Sequence, residues 1–126
     1  MVKGSVKRMK SPFLNDPFAM TWQAFQNLYP EKNCDVYWNP NLEPDESGNP
    51  VYGVTMFNDD GKVLVFVDAM ISVNNAVEIL AHELAHVAAG FEDGKDDHGP
   101  EWEVAFESIK QEYGRIGDAL FGRKPE

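Results

Sequence analysis

One cysteine, Cys34, stands in the 126 residues, so no internal disulfide can form, and the chain fits a reducing compartment. No run of 18 apolar residues occurs, which excludes a membrane-spanning helix. Basic residues are few: 11 Lys plus Arg face 21 Asp plus Glu, a net charge of −10. Such a surface is a poor partner for phosphate backbones, whose binding depends on basic side chains. Lys3, Lys7, Arg8 and Lys10 crowd the start of the chain, but no apolar segment follows before Pro12, so no secretory signal is expected. The expected compartment is the cytoplasm. Histidine is scarce too. The three present, His82, His86 and His98, fall within seventeen residues.

The length fits one domain that buries enough surface to fold without staples. Residues 1–10 are expected to be a basic flexible tail, and residues 11–126 a single domain. Asp16 and Pro17 can open a helix over 16–29, with Phe18, Trp22, Phe25 and Tyr29 at helical spacing and Pro30 ending it. Residues 33–38 read as a strand, and the proline-rich 39–50 as a loop. Residues 51–57 and 62–68 read as strands around the turn Asn58–Gly61, and should form an antiparallel hairpin. From Ser72 to Ala89 the period turns helical, with Ser72, Asn74 or Asn75 as cap and Gly90 as stop. Residues 91–99 form a loop. Pro100 opens a third helix, which Gly114 is expected to close, with one more turn near Ala119–Phe121. The fold class is therefore α+β: an N-terminal helix, a small, mainly antiparallel sheet of about three strands, an active-site helix, a loop and a C-terminal helix.

Residues 82–86 read His-Glu-Leu-Ala-His, the H-E-x-x-H pattern. On a helix, residues four apart lie about 40° apart on one face, so His82 and His86 can reach one ion. Glu83 lies about 100° round from His82, better placed to hold a water than to ligate. A catalytic zinc takes three protein ligands and keeps an open position. His98 is the remaining histidine, and the eight steps from Gly90 to it span up to about 27 Å, ample for a return to the ion. Glu101, Asp96 and Asp97 compete as oxygen ligands. The metzincin pattern is not met, since Ala89 and Glu92 occupy its next two positions.

The run 78–106, EILAHELAHVAAGFEDGKDDHGPEWEVAF, resembles the SprT-like, or Spartan-like, zinc metallopeptidases. They carry H-E-x-x-H on a helix and a His-Gly-Pro-Glu-Phe element opening the next, here His98-Gly99-Pro100-Glu101-Trp102. The preceding segment over 62–80 is similar to the strand and lead-in of that family. The resemblance implies a minimal zincin-like domain with one Zn²⁺ held by His82, His86 and His98, and Glu83 as catalytic carboxylate. Trp102 departs from the family's Phe. No cysteine pairs follow in these 126 residues, so the zinc ribbon of some members is not expected.

The expected chemistry is hydrolysis of peptide bonds by a zinc-bound water activated by Glu83. The expected partner is a protein or peptide substrate, with no nucleic acid and no membrane. Residues 62–68 could pair with an extended substrate if that strand is a sheet edge. Tyr113 and Arg115 are candidates for an assisting donor. Glu78, one turn before His82, is a candidate outer contact, and the acids Glu92, Asp93, Asp96 and Asp97 read as solvated. Two other functions stay open: a zinc-stabilised binding or regulatory module without turnover, and a zinc-dependent ribonuclease, whose H-x3-H-x5-H spacing this chain does not meet.

Overall fold

The structure is a computed structural model and describes residues 16–91 and 98–121. The expected basic tail and the four loop acids lie outside the described residues. Six elements follow in chain order: α1 (Pro17–Leu28), β1 (Asp35–Asn39), β2 (Gly53–Phe57), β3 (Val63–Asp68), α2 (Val73–Ala89) and α3 (Pro100–Phe121). The fold is α+β with a small sheet.

Local chemistry sets the ends of the helices. The Asp16 carboxylate accepts from the backbone N–H of Phe18 at 2.7 Å and Ala19 at 3.3 Å, satisfying two donors of the first turn of α1. Ser72 is the cap of α2, accepting from Asn75 N–H at 3.3 Å. Gly90 ends α2 at φ +80°, a left-handed backbone that a glycine adopts without Cβ strain.

The sheet order is β1-β3-β2. The expected hairpin is present: β2 runs antiparallel to β3, with Gly53 opposite Val67, Thr55 opposite Val65 and Phe57 opposite Val63. β1 pairs parallel with β3, Val36 opposite Val65. The sheet is thus mixed rather than mainly antiparallel, and β3 is its centre rather than an edge. The hairpin occupies one side of β3 and leaves β1 the other, and the 40–52 loop is long enough for that crossover. Val36, Val65 and Val67 are fully buried against the helices. On the opposite face Tyr37 stacks on Phe66, its register partner. Alternation along a strand puts successive side chains on opposite faces, so Gly53, Thr55 and Phe57 share the helix-facing side with Val65 and Val67.

Phe25, Leu80, Leu84 and Ile109, all fully buried, fill the space between the helices. α3 runs unbroken through Gly114, where the sequence suggested a stop. Two interior glycines cost about 1 kcal/mol each against alanine. Burial around them offsets that: Tyr113 and Ile116 pack on the core. At Gly117 an added Cβ would lie 3.4 Å from Met20 Cε, so a small residue suits the approach to α1. The Glu112 carboxylate ties the same two helices, accepting from Asn27 Nδ2 at 2.8 Å.

Candidate metal centre and carboxylate

α2 projects His82 and His86 one turn apart, and the chain entering α3 brings His98 to them. The three imidazoles present one nitrogen each, and these nitrogens all lie within 4.8 Å of one another. His82 Nε2 and His98 Nε2 are 3.2 Å apart. A tetrahedral zinc bound at about 2.0–2.1 Å would set its ligand nitrogens about 3.3–3.4 Å apart, so this pair needs little adjustment. Three imidazoles are also a donor set that suits zinc. Glu101 is exposed and stands outside the group, while Asp96 and Asp97 lie outside the described residues.

Trp102 is the wall behind the cluster. Its ring centroid is 4.8 Å from that of His82, 5.7 Å from His86 and 4.6 Å from His98. Its indole N–H donates to the His82 carbonyl oxygen at 3.1 Å, a bond that phenylalanine could not make. Pro100 starts α3, and the apolar stripe of that helix seats Trp102 against α2. The His-Gly-Pro-Glu-Trp element thereby joins the His98 approach to the helix carrying the other two histidines.

Burial holds the His82 imidazole below the usual histidine range; a protonated His98 would add to this, and Glu78 opposes it. Neutral imidazole is the form that binds metal, so the surroundings favour it. Glu78 itself is a largely exposed residue whose carboxylate lies 4.0 Å from Lys110 Nζ.

Glu83 faces the sheet side of α2 and is only 6% exposed. Its carboxylate is not part of the three-histidine group. The Thr55 hydroxyl donates to Glu83 Oε1 at 2.6 Å and lies 3.2 Å from the Glu83 carbonyl oxygen. Desolvation pushes the carboxyl up from 4.5 to about 7, with the Thr55 hydrogen bond opposing the rise. Between those pH values the folded chain keeps a proton on Glu83 that the unfolded chain has lost. Stability from this group is therefore fully present below about pH 4.5 and is lost as pH rises through about 7. At about 1.36 kcal/mol per pKa unit, the loss approaches roughly 3 kcal/mol. Metal-free Glu83→Gln should accordingly outlast metal-free wild type in urea at pH 8, with the gap closing towards pH 4.5. A gap that does not change with pH would show that Glu83 is hydrated in the folded protein.

Tyr113 and Arg115 do not reach the cluster as assisting donors. Tyr113 packs on the core about 16 Å along α3 from Trp102. Arg115 is engaged by Glu112, with Nη2 to Oε2 at 2.6 Å. Gly53 and Thr55 are the site residues that motif reading missed. The signal was there: an isolated glycine inside a strand marks a close approach of another group.

A family model, the SprT-like family, matches residues 18–120. The match spans the described elements from α1 into α3 and includes all three histidines. The chain belongs to the SprT-like family. Searches of curated proteins and of solved structures returned no match.

Proposed function

We propose that this chain is a zinc-dependent metallopeptidase that cuts protein or peptide substrates at internal bonds. The observation that carries the reading is one helix presenting His82 and His86 to His98, with Glu83 next to His82 in the chain and its carboxylate buried against Thr55. When bound, zinc supplies Lewis acidity, lowering the pKa of a water towards about 7 and polarising a carbonyl. His82, His86 and His98 would hold the ion. Glu83 takes a proton from the attacking water and delivers it to the leaving amine.

Strand addition would serve substrate binding, but at β2 rather than β3. Among the described residues β2 pairs only with β3, so its other edge is open, and Thr55 places that strand against Glu83. Among the described residues no helix is long and apolar enough to cross a membrane. The acid balance of the chain supports a protein rather than a nucleic acid as substrate.

The test is digestion of an unfolded protein by the zinc-loaded chain, with the new termini read by mass spectrometry. Internal cleavage should stop on chelation and return with added zinc. Zinc binding without cleavage of any unfolded or basic protein would favour the binding module, and RNA cleavage would favour the nuclease.

A further inference from the structure

We infer that Thr55, seated beside Gly53 on β2, is the positioning residue for the Glu83 carboxylate. This rests on the reading of Glu83 as the general base. A glutamate has three rotatable bonds, and a base must stand within hydrogen-bond reach of its proton. Among the described residues, the side-chain hydrogen bond to that carboxylate comes from β2 and not from α2. β2 positions it through two residues on one face of the strand.

The first is Thr55. Its hydroxyl holds Oε1 at 2.6 Å. Threonine is branched at Cβ and stiff at χ1, so the strand backbone sets where the hydroxyl points. The bond engages Oε1 and leaves Oε2 to take a proton.

The second is Gly53, two residues earlier and so on the same side. A Cβ there would lie 2.7 Å from Glu83 Oε2 and 2.5 Å from Ile79 Cγ2. Real Cβ atoms do not come that close. Any larger residue would force α2 and β2 apart or displace the carboxylate. Either way Thr55 would lose its reach to Oε1. The glycine is the space in which the carboxylate sits, and the threonine is the handle that keeps it there.

Thr55→Val keeps the shape and removes the hydroxyl, and Thr55→Ser restores it. In the zinc-loaded protein, Thr55→Val should lower kcat about 10–100-fold, the usual cost of losing an outer hydrogen-bond partner. KM and zinc affinity should not change, and Thr55→Ser should recover most of the rate. Placed on Glu83→Gln, Thr55→Val should cost nothing further, because the group it positions is gone. Crystal structures of the zinc-free variants supply a readout independent of turnover. The Glu83 carboxylate should leave its place in Thr55→Val and keep it in Thr55→Ser. A Thr55→Val protein with wild-type kcat, or with Glu83 unmoved, overturns the inference. So does an equal loss of rate in the Val and Ser variants. A wild-type protein that cleaves nothing overturns the peptidase reading instead, and the carboxylate position then decides Thr55 alone.

Discussion

His98→Ala should bind zinc far more weakly than wild type, beyond the 10–100-fold that loss of an outer contact costs. The reason is geometric. His82 and His86 come from one helix and would fill two positions of a tetrahedral ion, and His98 would fill a third, its Nε2 3.2 Å from that of His82. Two imidazoles alone do not make the three-ligand set of a catalytic zinc. Competition against a chromophoric chelator measures the change directly. The stabilisation that zinc confers should fall in parallel, since a ligand at a thousand times its Kd adds about 4 kcal/mol to the native state and a weakly held one adds little. The fold should survive, because His98 is exposed and Trp102, not His98, carries the packing of α3 on α2. Wild-type affinity in the variant would pass the third position to Glu101 or to a loop aspartate.

The parts of this site that were legible in the sequence are those governed by local periodicity. Two histidines four apart on a helix must share a face, whatever surrounds them. The caps Asp16 and Ser72, and the hairpin turn ending at Gly61, likewise depend on a few neighbouring residues. The parts that were not legible depend on partners distant in the chain. Nothing in residues 33–38 says that the strand will pair with β3 or run parallel to it, since both depend on residues distant in the chain. Gly114 looks like a stop because its cost is local, while the burial of Ile116 that offsets it comes from packing on the core. Position 98 was open to rivals because loop length permits a return but does not select one. The pairing of Thr55 with Glu83 spans 28 residues and left a single trace, a glycine where a strand would prefer a side chain.

Glu83→Gln should reduce peptide hydrolysis by at least about 10²–10⁴-fold, the range for loss of a general base, while zinc content stays at the wild-type level. Three features of the structure force these outcomes apart. Glu83 lies outside the group of three nitrogens, so removing its charge takes no ligand from the ion. Glutamine has the volume of glutamate, and its amide oxygen can still accept from Thr55, so the fit against Gly53 is kept. An amide cannot take a proton from water near neutral pH, so the one function removed is the transfer itself. The metal-free variant should at the same time be more stable than wild type at pH 8, because the buried charge is gone. Each deviation from that pattern has its own meaning. Loss of zinc would make Glu83 a ligand. Lower stability would mean that the carboxylate is a structural anchor for β2. Turnover equal to wild type, with zinc retained, would remove Glu83 from the chemistry and with it the peptidase mechanism proposed for this fold.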